Sequence, residues 1–241
     1  NVVVTISGVS DTYTVTTRAA VTTPSPFTFT DQPSTNLNTV VSTNILPLNY
    51  DYANWSVTNG QGSTDNSTWA TSGTNNSGQT FYIRGTSSSS FSTSVDVIGT
   101  IGSLSDTYTI TTRAADTTPA AFSFNDVTGA AQSTVYTSNT VTVTGLEPNY
   151  SITVNASSGT VDAGTTSLSG TFASSKTVTT TASGTFVVAA RVTTPASYGT
   201  SADCTVNIGG VVDYYSVTTA PADSTPTENH KETTTPENQS E

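Results

Sequence analysis

The sequence predicts an all-β chain of tandem sandwich domains. Three observations carry that expectation: a composition that favours strands, no helical periodicity, and one hairpin pattern written more than once. Thr and Ser dominate, Val leads the aliphatics and charged residues make up only 10% of the 241 positions, which suits β-branched strands better than solvated helices. No long window repeats apolar side chains at i, i+3 and i+4, whereas short alternating runs recur throughout. The length allows two domains of about 100 residues, the usual size of a β-sandwich.

The hairpin is the clearest element. Ile6-Ser7-Gly8-Val9-Ser10-Asp11-Thr12-Tyr13-Thr14-Val15-Thr16-Thr17-Arg18-Ala19-Ala20 returns as Ile101-Gly102-Ser103-Leu104-Ser105-Asp106-Thr107-Tyr108-Thr109-Ile110-Thr111-Thr112-Arg113-Ala114-Ala115. A diverged copy runs from Ile208 through Gly209-Gly210, Asp213, Tyr215 and Val217 to Ala220. In each copy an apolar strand ends in a Gly/Ser/Asp turn, and a second strand alternates Tyr, Thr, Val or Ile, Thr. Period two sets Tyr13 with Val15, Tyr108 with Ile110 and Tyr215 with Val217 on one face, which is expected to be core; the three tyrosines should be buried equivalently.

Each hairpin is followed by a seam. Thr22-Thr23-Pro24 and Thr117-Thr118-Pro119 remove a backbone donor and hold the preceding residue extended. Alternating runs, Phe27-Thr28-Phe29-Thr30-Asp31 and Phe122-Ser123-Phe124-Asn125-Asp126, then predict a new strand. The expected organisation is a final hairpin of an upstream or incomplete domain over 1–22, sandwiches over 23–117 and 118–220, and a disordered tail over 221–241. The tail is rich in Thr, Pro and Glu and has too little apolar surface to fold. His230, the only histidine, and Lys231 fall in it as solvated residues.

The segment Arg113-Ala114-Ala115-Asp116-Thr117-Thr118-Pro119-Ala120-Ala121-Phe122-Ser123-Phe124-Asn125-Asp126-Val127-Thr128-Gly129, continued by Ser133-Thr134-Val135-Tyr136-Thr137-Ser138-Asn139-Thr140-Val141-Thr142-Val143, resembles the start of immunoglobulin-like repeats of bacteriophage virion proteins and bacterial surface proteins. The resemblance implies tandem immunoglobulin-like modules in a tail fibre, tail, capsid decoration or adhesin. The implied location is the virion surface or the extracellular side of a cell. Partners would be other virion or appendage subunits and host-surface glycans. It transfers no catalytic residue, and it covers the seams only. Residues 50–95 and 150–205 look unlike each other.

Little in the chain supports other functions. A net charge of −11 with six Lys and Arg speaks against nucleic acid, which needs clustered cations. No apolar run approaches the ~20 residues that cross a bilayer as a helix. No enzyme is expected, since the acids are scattered singly and the one cysteine, Cys204, sits at a core-facing strand position without a histidine nearby. No cofactor is expected. The seam aspartates Asp11, Asp31, Asp106, Asp116 and Asp126 are read as turn residues bonding nearby amides, with calcium between domains as the alternative. An aromatic group, Tyr50, Tyr52, Trp55, Trp69 and Tyr82, gives the candidate glycan contact, against core packing for at least half of the aromatic set. That contact requires Trp69, Tyr50 and Tyr52 to be exposed together. N-glycosylation patterns at Asn54, Asn66, Asn75, Asn149 and Asn155 are what chance supplies in so polar a sequence.

Overall fold

A computed structural model describes residues 1–45 and 49–224. Most of the expected tail, including His230 and Lys231, lies outside the described residues. Among those described, every regular element is a strand, and the chain divides into two compact units, Asn1–Ala115 and Asp116–Glu241.

The first unit opens with β1 (Val2–Ile6) and β2 (Val9–Tyr13), joined by Ser7-Gly8, both at positive φ. A turn with that geometry matches the twist of a tight hairpin. It continues through β3 (Gln32–Thr35), β4 (Val40–Ile45), β5 (Tyr52–Thr58), β6 (Gln61–Ser63), β7 (Ser72–Asn76), β8 (Phe81–Thr86), β9 (Ser94–Ile101) and β10 (Leu104–Thr112). These form a sheet in the order β3-β10-β9-β5-β7 and a second sheet in the order β4-β8-β6. Alternation decides which side chains go inside. Along β5, Ala53, Trp55 and Val57 are buried; along β8, Phe81 and Ile83; along β10, Tyr108 and Ile110.

The second unit repeats the plan. Its strands are β11 (Val127–Ala130), β12 (Val135–Thr137), β13 (Val141–Val143), β14 (Ser151–Ser157), β15 (Thr160–Gly164), β16 (Ser175–Thr179), β17 (Phe186–Thr193), β18 (Ser201–Ile208) and β19 (Val211–Thr219). One sheet runs β11-β19-β18-β14-β16; in the other, β12, β13 and β15 all pair with β17. β12 and β13 together take the place of β4. Residues 50–95 and 150–205 are therefore two versions of one set of strands, although as sequences they look unrelated. Each unit is an immunoglobulin-like all-β sandwich closed around its own core.

Two expectations need correction. Tyr108 and Tyr215 are fully buried, but Tyr13 is 69% exposed. β1 and β2 form a sheet of two strands only, and a hairpin without a facing sheet has nothing to bury its aromatic side against. The runs 27–31 and 122–126 are not strands, although Phe29 and Phe124 do enter the cores. Carboxylates replace the backbone ladder there. The Phe29 N–H donates to Asp106 Oδ2 at 2.5 Å, and the Thr109 N–H on β10 donates to Asp31 Oδ1 at 2.8 Å. The second unit repeats both bonds, Phe124 N–H to Asp213 Oδ2 and Ser216 N–H to Asp126 Oδ1, each at 2.8 Å. Ladder pairing starts only at β3 and β11, directly after these carboxylates.

Buried hydroxyls close the loops in the same duplicated way. Thr112 Oγ1 accepts from the Thr93 N–H and donates to Ser90 O; Thr219 Oγ1 accepts from the Thr200 N–H and donates to Ser197 O. The high Thr content is thus partly core chemistry, since each hydroxyl pairs backbone groups that burial would leave unsatisfied.

Candidate binding surface

Of the five aromatic candidates, Tyr50 and Trp55 are 3% and 6% exposed and belong to the core. They are removed from any surface contact: alternation along β5 turns Trp55 inward, and Tyr50, in the bend before that strand, packs into the same core. Tyr52 is 49% exposed on the outer face of the five-stranded sheet. Trp69 and Tyr82 are half-buried beside the other sheet. The arrangement in which Trp69, Tyr50 and Tyr52 share one exposed face does not exist.

What the fold gathers instead is centred on a residue that sequence inspection passes over. Arg84 stands two positions after Tyr82 on β8, hence on the same outward face. Its guanidinium lies 4.2 Å from the Trp69 ring centroid and donates from Nε (3.0 Å) and Nη2 (2.6 Å) to Gln61 Oε1. Beside it is a concavity of about 440 Å³ lined by Val40, Asn59, Gly60, Gln61 and Thr86.

The second unit places Arg191 identically. Arg84 pairs with Ser42 on one side and Gln61 on the other; Arg191 pairs with Thr137 and Thr160. The Arg191 guanidinium lies 3.5 Å from the centroid of Phe172, and its Nε donates to Thr137 Oγ1 at 3.1 Å. Here too a concavity, of about 400 Å³, is lined by Val135, Ser158, Gly159, Thr160 and Thr193. The aromatic residues are equivalent as well, since Ala70 and Ala173, which follow them, make the same isolated bridges, to Gly62 and Val161. Both floors are formed by two-residue connections, Asn59-Gly60 and Ser158-Gly159, whose first residues have φ of 60° and 61°.

These glycines are needed for close approach. A Cβ on Gly159 would fall 2.7 Å from Cys204 Sγ and 2.8 Å from Arg191 O; one on Gly60 would fall 2.5 Å from Val97 Cγ1 and still nearer Arg84 O. Cys204 therefore takes the place that Val97 has in the first unit. It is buried, its thiol donates to Thr160 O at 3.8 Å, and burial pushes the thiol above its ordinary range. A buried thiol of this kind packs as a small apolar side chain.

The seam aspartates also have assigned partners. Asp11 accepts from the adjacent Thr12 N–H and Asp116 from the Thr118 N–H, as turn residues do. Asp31 and Asp126 accept from amides of distant strands and Asp106 from the distant Phe29 N–H, which corrects the turn reading for these three. Among the described residues no three His, Cys, Asp or Glu side chains are grouped to hold a metal ion. Among the described residues Asp162 is a fully buried carboxylate: it accepts from Ser169 Oγ (2.6 Å) and the Gly170 N–H (2.6 Å), with Lys176 Nζ at 3.5 Å. Burial would raise its pKa, but these three partners together hold it below the usual carboxylate value.

No family model matches the chain, and no curated protein matches its sequence. Solved structures with a related strand arrangement include the I9–I11 tandem of titin, at 11% identity over 81% of this chain and 66% of that one, with a TM-score of 0.25. Domains 4–9 of the surface-layer protein SbsC align at 14% identity over 90% of this chain and 34% of that one, with a TM-score of 0.28. The ectodomain of a teleost fish polymeric immunoglobulin receptor aligns at 9% identity over 80% and 98%, with a TM-score of 0.23. The chain thus spans two thirds or less of the first and second of these. Scores of this size carry no argument about function.

Proposed function

We propose that the chain is a structural protein of a virion surface or extracellular appendage, such as a phage tail fibre, tail or capsid decoration. In this role tandem modules give reach and make weak, repeated contact with a host surface. One observation carries the proposal. The same sandwich occurs twice with the same carboxylate bonds, hydroxyl plugs and seam sequence, while the loops between differ. Duplication of a frame with variation of its surface suits a spacer that meets its surroundings at several points, because linked weak contacts multiply. Catalysis has no part in it. Partners are other subunits of the same particle and glycans of the host surface.

Immunogold labelling with an antibody raised against residues 116–224 tests this. Label should lie on the outside of particles or cell appendages and disappear after protease shaving. Label confined to the cell interior would overturn the proposal.

A further inference from the structure

We infer that the two concavities at Arg84 and Arg191 are a repeated pair of subsites for a carboxylate-bearing sugar residue, one per module. The inference rests on the reading of the chain as a surface array, and it supplies the contact chemistry of that array.

The first support is charge. The chain has 17 Asp and Glu against six Lys and Arg, so a cation without an acidic partner is unexpected. Arg18 pairs with both oxygens of Asp51, and Lys176 approaches Asp162. Arg84 and Arg191 meet no carboxylate among the described residues. Their hydrogen bonds use Nε and Nη2 in Arg84 and only Nε in Arg191, toward neutral oxygens. Donors therefore remain on both guanidinium groups, each held in place by an aromatic ring. A planar fork immobilised in this way is preorganised for a carboxylate.

The second support is the company each arginine keeps. Val40 and Val135 stand at the same rim position, 59% and 57% exposed, although an exposed valine gains nothing from solvent. Opposite each is a threonine, Thr86 or Thr193, paired with that valine across the strands. The turn adds Asn59 in one module and Ser158 in the other. Cation, apolar patch, hydroxyl and polar turn correspond to the carboxylate, C–H face and hydroxyls of an acidic monosaccharide, and the volumes of about 440 and 400 Å³ fall in the range of small-ligand sites. A long polyanion is disfavoured by the net charge of the chain. Recognition of single acidic residues spaced along a glycan is not.

Amide chemical-shift titration of the intact chain reads both sites separately, through Gly60 and Gly85 in one and Gly159 in the other. A trigalacturonate and a sialyllactose separate a uronic acid source from a sialic acid one, with maltotriose as the neutral control. At least one acidic sugar should shift both sets of amides at millimolar concentration and lose affinity with added salt, while maltotriose should not. Arg84→Gln should weaken the first site by about tenfold, the value of one charge-assisted bond, and leave Gly159 responding; Arg191→Gln should do the reverse. Thr86→Glu, on an exposed position, should block the first site by placing a carboxylate next to Arg84. Equal response to maltotriose, shifts that survive both arginine substitutions, or no shift with any sugar would each overturn the inference. The labelling experiment above is independent of these results, so the array reading stands or falls separately.

Discussion

Asp106 and Asp213 occupy the place of a backbone carbonyl. Each reaches back to the amide of a buried phenylalanine 77 or 89 positions earlier in the chain, and Asp31 and Asp126 return the bond in the other direction. The repetition of these aspartates was visible in the sequence, but their partners were not. A carboxylate in a Gly/Ser/Asp turn reads as a local cap unless the fold brings a distant amide to it. Replacing Asp106 or Asp213 by Ala should destabilise its module by about 1–2 kcal/mol in urea unfolding, because a charge-assisted bond to a half-buried amide is lost. Asp11→Ala is the internal control, since Asp11 bonds only the next residue; it should change stability by less than about 0.5 kcal/mol. Equal effects from Asp106→Ala and Asp11→Ala would mean that the long-range bonds carry no weight.

Turns and strands differ in how far their sequences announce them. The hairpins β9–β10 and β18–β19 were legible because Gly at the turn and strict alternation after it fix both register and face. The equivalence of β5–β8 with β14–β17 was hidden by longer loops in the second unit and by substitutions such as Val154 at the position that Trp55 holds in the first. Arg84 and Arg191 were passed over for the same reason; their shared signal was scarcity, two arginines at strand positions in a chain with six cations. The connection beneath each arginine gives a test at this scale. Val97 and Cys204 press on Gly60 and Gly159 from the same strand position, so Cys204→Val copies the first unit into the second and should cost less than about 1.5 kcal/mol. Gly60→Ala and Gly159→Ala force a methyl group into backbone and side chain at once. Each should cost about 1–3 kcal/mol by chemical denaturation, and a neutral Gly159→Ala would show that the turn is looser than described.

At the scale of the whole molecule, what distinguishes the modules from the leading hairpin is closure of a core. Phe124, Val143, Val154, Val161, Phe186, Val188, Val206, Ile208, Tyr215 and Val217 pack together in the second unit without contribution from the first. The first unit gathers Phe29, Trp55, Phe81, Ile83, Val97, Ile101, Tyr108 and Ile110 in the same way. The hairpin β1–β2 carries the same alternation, yet Val2, Val4, Ile6, Val9 and Tyr13 are exposed. Alternation specifies which face is apolar, and only a second sheet turns that face into stability. Residues 116–224 alone should therefore fold, with dispersed amide resonances and one cooperative melt, to a stability within about 1 kcal/mol of the same module in the full chain. A peptide of residues 1–22, with the same strand pattern and no facing sheet, should remain a coil under the same conditions. Failure of 116–224 to fold would mean that its core is not self-sufficient and that the modules are cooperative parts of a larger unit.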